Sequence, residues 1–269
     1  MSNFTICNRV VGRAAFLIMC ILLAQLNSLT LAQAISTADL ERIGRRIWQN
    51  ECNGSVRGLT SWNSGEDFAS LGIGHFIWYP AGQSGPFEES FPRLLEYYRQ
   101  AGVTMPAWLQ QTRGSPWTDR ASFQRDHASV RQQELRDLLA RTVAAQTQFI
   151  IARLDAAVPR MQAAAGRSSA HVAKNMQLLR TSAAGNFAMI DYVNFKGEGL
   201  QPSERYNGEG WGLLQVLMEM QPCDASSAPR AFANAAKRVL ARRVKNSPPA
   251  RKEQQWLQGW SNRCETYAR

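Results

Sequence analysis

TADLERIGRRIWQNECNGSVRGLTSWNSGEDFASLGIGH, from Thr37 to His75, is the stretch whose reading decides the fold. Leu40, Ile43 and Ile47 recur at the spacing of one helix face. Ser36 and Thr37 are capping residue types, and Asp39 stands in the first turn. The spacing predicts a helix over 37–51. RGLTSWNSGEDFASL (57–71), rich in Thr, Trp, Phe and Ser around Asn63-Ser64-Gly65, predicts a hairpin after it. Glu51 lies 11 positions beyond Leu40, which at about 100° per residue puts it only about 20° from Leu40 around the helix. A carboxylate therefore closes the face that the apolar residues bury. A carboxyl group partly removed from water tends to hold its proton, because the charged form loses hydration. Such a group can give that proton to a leaving oxygen.

The hairpin supplies a second acid. Glu66 and Asp67 follow the turn, and alternation with an inward Phe68 favours Glu66, with Asp67 in reserve. Two carboxyl groups across a cleft, one protonated and one ionised, are what hydrolysis of a glycosidic bond requires.

Outward from this stretch the chain is mostly helical. Phe76-Ile77-Trp78-Tyr79 reads as core, and the Pro80–Pro86 segment as a loop. Helical patterning predicts elements over 88–101, 119–141, 144–158, 169–182, 186–196, 209–221, 228–246 and 252–262, with Gly and Pro breakers between them. The expectation is a single α+β domain over 35–269, mostly α, with a small β-hairpin beside the Glu51 helix. No repeat and no low-complexity tract interrupts it.

Residues 1–34 read as a secretory signal. Arg9 and Arg13 precede the apolar run Ala14–Leu26, and Ala32-Gln33-Ala34 supplies an A-x-A ending. Cleavage there would leave a periplasmic or secreted chain without a stable membrane anchor. Cys52, Cys223 and Cys264 would then sit in an oxidising compartment, where a Cys223–Cys264 bridge is one possible pairing. None of these cysteines has metal-ligand spacing and the three histidines are scattered, so neither a metal nor another cofactor is expected. Cys52 lacks a sequence-positioned His or Asn that would activate it as a nucleophile.

Net charge is +10. From Ala228 to Arg269 ten basic residues face two acidic ones, whereas Ile35–Ser227 carries 19 of each sign. The excess sits in the last helices, where it reads as a docking surface for an anionic polymer. A secreted chain without a nucleic-acid-binding motif is not expected to bind nucleic acid.

Glu51, a hairpin, and Ser70-Leu71-Gly72-Ile73-Gly74-His75 together resemble the phage-type lysozymes, the endolysin muramidases. In those enzymes a helix-terminal Glu precedes a hairpin ending in Thr-x-Gly-x-Gly-His. The resemblance implies a lysozyme-like fold with Glu51 as general acid. Ser70 takes the place of the Thr whose hydroxyl holds the water or carboxylate at the sugar's far face. His75 becomes a hydrogen-bonding residue beside the cleft, in contact with the substrate side. The Glu51–His75 interval is longer than in the family, so counting does not place its middle acid. The closing segment Ala233–Arg238, with Asn246-Ser-Pro-Pro, Arg251, Trp260 and Tyr267, is also similar to the family, while residues 80–140 look like an insertion.

A second cluster, Tyr192 to Gly199 and Glu204 to Gln215, is dense in Gly, aromatic and amide side chains. Asn194, Glu198, Tyr206 and Gln215 are its candidate substrate-binding residues. Its Gly212-Leu-Leu-Gln215 is similar to a stretch of lytic transglycosylases. A Gly-rich helix start with packed aromatics explains the same residues without a ligand. The expected activity is hydrolysis of peptidoglycan glycan strands by a monomer. A chitosanase-like or transglycosylase reaction is an alternative, as is a non-catalytic wall-binding protein on the same fold.

Overall fold

The structure, a computed structural model, describes residues 35–112 and 114–269; the segment read as a signal lies outside them. Helix α1 (Thr37–Cys52) buries Leu40, Ile43, Ile47 and Trp48. Asn53 and Gly54, at φ 54° and 68°, end it in the left-handed conformation just past Glu51.

The hairpin is one half of a three-stranded antiparallel sheet, β1 (Thr60–Ser61), β2 (Ala69–Leu71) and β3 (Phe76–Trp78), in that order. Thr60 faces Leu71, and Ser70 faces Ile77. The strand over 76–78 was expected only as core; Phe76 and Trp78 are indeed buried, and pairing with β2 makes them sheet as well.

Helices α2 (Phe91–Gln100), α3 (Ala107–Gln111), α4 (Arg120–Arg125) and α5 (Val130–Arg141) follow. The single helix expected over 119–141 is two. Asp119 accepts from Ser122 N at the start of α4, and Ser129 accepts from Gln132 N at the start of α5. A second cap in mid-segment opens a second helix. An aromatic line, Trp78–Phe91 at 4.8 Å, Trp78–Trp117 at 6.0 Å and Trp117–Phe123 at 4.9 Å, fixes these helices to the sheet.

Helix α6 (Val143–Ala165) runs through Pro159, where the breaker had suggested an end. Buried Leu154, Ala157, Met161 and Ala165 hold it on both sides of the proline, and packing outweighs the one backbone bond that Pro removes. Gly44 lets α1 close onto α6: a Cβ there would lie 2.3 Å from Thr147 Oγ1 and 2.5 Å from Val143 Cγ1.

Next come α7 (Ser169–Arg180) and α8 (Ala183–Lys196). The helix expected from 209 begins only at Leu213. Before it, β4 (Arg205–Tyr206) and β5 (Glu209–Gly210) pair across Asn207-Gly208, both at positive φ, the dipeptide that closes tight hairpins. The chain continues through α9 (Leu213–Glu219), α10 (Ala228–Asn246), a 3-10 turn (Glu253–Trp256) and α11 (Leu257–Glu265). Tyr267 then enters a cluster with Phe187, Tyr192 and Phe232, at centroid distances of 5.7, 6.3 and 5.8 Å. The described chain is thus mostly α with a small antiparallel sheet, and Thr37–Arg269 forms one compact unit.

Cys52, Cys223 and Cys264 are all unbridged. The possible Cys223–Cys264 pairing is not formed: Cys264 is buried near Asp191 and Arg263, whereas the charges around Cys223 are Asp224 and Lys174. Among the described residues no helix is long and apolar enough to cross a membrane.

Candidate active site

Glu51 occupies the last turn of α1, its side chain 14% exposed. Arg263 of α11 donates from Nη2 to Glu51 Oε1 at 2.6 Å, and Asn194 of α8 donates to the same oxygen at 3.3 Å. Oε2 faces His75 Nδ1 at 3.5 Å. Elements far apart in sequence therefore converge on one carboxylate.

Arg263 is itself held by a fully buried acid. Its Nε and Nη2 reach Asp191 Oδ2 and Oδ1 at 2.8 and 2.9 Å. Tyr267 donates its hydroxyl to Asp191 at 2.7 Å, and Asn50 donates its amide at 3.2 Å. The guanidinium lies 4.1 Å over the Phe195 ring. Burial works against the charge on Arg263, yet Asp191 first and Glu51 second keep it protonated well above the usual guanidinium value.

His75 is placed by the Gly-x-Gly loop. Gly72 takes φ 73°, and a Cβ on it would lie 2.3 Å from Gln146 Oε1. That oxygen accepts from Ile73 N at 2.9 Å, while Gln146 donates to Leu139 O at 2.7 Å. A buried amide on α6 thus pins the loop, and only glycine fits against it. His75 itself is at φ 47°, and its Nε2 is buried without a hydrogen-bond partner among the described residues.

The other residues singled out from sequence fall elsewhere. Glu66 sits in the β1–β2 turn, half-buried, with Asn63 donating to its carboxylate at 3.1 Å. Asp67 beside it is exposed. Ser70 is buried in β2, its carbonyl accepting from Ser61 at 3.3 Å. Glu198 pairs with Arg160 at 2.9 Å. Tyr206 donates to Glu253 at 2.9 Å. Gln215 accepts from Gly212 N at 3.0 Å and donates to Gly199 O at 3.1 Å, bracing the loop before α9. Of the second cluster, then, Asn194 touches Glu51 and the other three make contacts within the fold.

Sequence reasoning missed Arg263, Asp191 and Asn50 as site residues. One signal was available: Asp191 interrupts the apolar run Ala188–Val193, and an acid in such a run needs a buried partner. The Cys52 thiol is pushed up to about 11, by burial first and then by neighbouring Glu51, so it is protonated at neutral pH and a poor nucleophile.

The basic C-terminal segment is largely engaged within the fold. Arg230 and Lys237 share Glu265, Arg238 and Arg242 share Glu219, and Arg243 and Arg251 share Glu253. Among the described residues no group of three or more His, Cys, Asp or Glu stands close enough to hold a metal ion. Compared with protein-family models, with curated proteins and with solved structures, the chain matches none.

Proposed function

We propose that this chain is a glycoside hydrolase of lysozyme-like architecture acting on peptidoglycan glycan strands, with Glu51 as general acid. The observation that carries the reading is the setting of Glu51. It stands at the end of a helix with one buried face, opposite the histidine of a Gly-x-Gly-His loop, with one oxygen bonded to Arg263 and Asn194 and the other facing His75. In this reading Oε2 carries the proton and delivers it to the glycosidic oxygen, while Arg263 and Asn194 fix the carboxyl plane. Asp191 holds the guanidinium from behind, so Arg263 meets Glu51 in a fixed orientation. Glu66, or Asp67 in its place, stabilises the oxocarbenium-like state or activates water from the hairpin side, helped by Ser70. Residues 80–140 form an added wall of helices on the sheet. The substrate also accords with an extracytoplasmic chain, periplasmic or secreted.

A non-catalytic wall-binding protein is the second reading. It is favoured by the contacts of Glu66, which are with its own turn and not with Glu51. Release of reducing ends from purified peptidoglycan by the protein and by its Glu51→Gln variant separates the two. Equal release by both, with co-sedimentation retained, removes the catalytic role and leaves the binding one.

A further inference from the structure

Next to the end of α1 lies a cavity of about 690 Å³, lined among others by Cys52, Arg57, Thr60, Trp62, Arg125 and His127. It starts at the residue after Glu51 and extends between β1 and the α4 turn. No Asp or Glu lines it. Arg57 and Arg125 are exposed, and neither guanidinium makes a close ion pair or hydrogen bond with another described residue. This is unlike the C-terminal arginines, which share Glu219, Glu253 and Glu265.

Behind the cavity a third guanidinium is buried without a carboxylate contact. Arg136 donates to Thr60 Oγ1 at 3.2 Å, to Gln132 Oε1 at 3.2 Å and to His127 O at 2.9 Å. The nearby acids have other hydrogen-bond partners: Asp126 accepts from Trp117 at 2.8 Å, Asp119 caps α4 within the field of Arg125, and Asp137, which acts on Arg136 from a distance, accepts from Gln133 at 2.8 Å. The field is felt at His127, whose value is lowered by burial first and then by Arg136 and Arg57. Arg57 and Arg136 repel each other beside a concavity whose lining holds no acid, and an anion placed there relieves that repulsion. Guanidinium forks match a planar carboxylate two bonds at a time.

We infer that this cavity is an anion subsite, and that it receives a carboxylate carried by the glycan whose bond lies at Glu51. The inference rests on the hydrolase reading for the identity of the glycan, because a group reaching the cavity beside Glu51 belongs to the same molecule. It assigns Arg57 and Arg125 to substrate selection and leaves the proton transfer to Glu51.

The test compares intact peptidoglycan sacculi with sacculi whose carboxyl groups have been converted to amides. Co-sedimentation and reducing-end release are measured for the full protein, for Arg57→Gln/Arg125→Gln, and for Lys245→Gln/Lys252→Gln as a control of equal charge. The wild type is expected to bind intact sacculi about tenfold or more tighter than amidated ones, and the Arg57/Arg125 variant to lose that preference. The lysine control is expected to keep it. Equal binding of both sacculi by the wild type overturns the subsite, as does an equal loss in the lysine control. The comparison of the two sacculi needs no variant, so it decides even if the double variant is unstable. Removing wall phosphate polymers with acid from both preparations separates the anions; a preference that vanishes with the phosphate also overturns the carboxylate subsite. An arginine-dependent preference without any release of reducing ends supports the subsite and sinks the hydrolase reading. Release from both sacculi at the same rate and affinity does the reverse.

Discussion

Glu51 and Glu66 are both acids close to the sheet, but they live in different surroundings. Glu51 is fixed by three side chains from two distant helices and a loop, and behind them stands a fully buried acid with four hydrogen bonds. Glu66 has one amide neighbour three residues away, in an exposed turn. A carboxyl group whose orientation is over-determined suits a step that needs exact proton placement. One in a turn keeps the freedom to follow a water or a sugar ring. The difference is therefore one of preorganisation, and it can be attacked from either side.

The largest expected effect is on Glu51. Glu51→Gln is expected to lower reducing-end release by about 10²- to 10⁴-fold with little change in midpoint temperature, since the amide still accepts from Arg263. A loss under tenfold would put the proton elsewhere. Asp191→Ala attacks the support. It removes the fully buried acceptor of four hydrogen bonds from Arg263, Tyr267 and Asn50, and a stability loss of about 3–5 kcal/mol is expected in urea titration. Glu66→Ala should cost under about 0.5 kcal/mol in the same titration, and equal losses would erase the contrast. Third, Glu66→Gln is expected to slow turnover by about tenfold, which is about 1.4 kcal/mol of barrier, while Asp67→Asn leaves it unchanged; the opposite result moves the second role to Asp67.

The last comparison is a pH slope at Lys196, beside the Arg263 side of the site. Lys196 lies between the Phe195 and Trp260 rings, at 3.9 and 3.6 Å. Burial first, then Arg243 and Arg263, bring its amine down to about 6. Between about 6 and the usual lysine value of 10.5, the unfolded chain binds a proton that the folded chain does not. Stability contributed at this site therefore rises with pH across that window and falls as the pH drops toward 6. Lys196→Met should flatten that rise in denaturation curves taken from pH 6 to 9. An unchanged slope would mean that the amine stays charged in the fold.

Much of this was legible in the sequence because it is local. The period of Leu40, Ile43 and Ile47 predicted α1 and put Glu51 on its inner side. The Asn63-Ser64-Gly65 turn located the hairpin. What was lost was set by caps and by distance. Ser129 divides a long periodic segment, and Asn207-Gly208 closes a hairpin where a helix was expected to start. The support of Glu51 was invisible to spacing, since Arg263 and Asp191 meet only through tertiary packing. The charge count recorded ten basic and two acidic residues near the C-terminus but not how they pair: six of the bases share Glu253, Glu265 and the more distant Glu219.

The reach of the Glu51–Arg263 contact has a consequence in time. These residues are 212 positions apart, and Arg46 of α1 also donates to Thr266 O across 220. Contacts of such separation close late in folding, after the intervening helices have formed. While the chain is being made, 212 residues are added after Glu51 before its guanidinium exists. A chain cut short before Arg263 has Glu51 but lacks the guanidinium that bonds it, so this contact arrives only with α11.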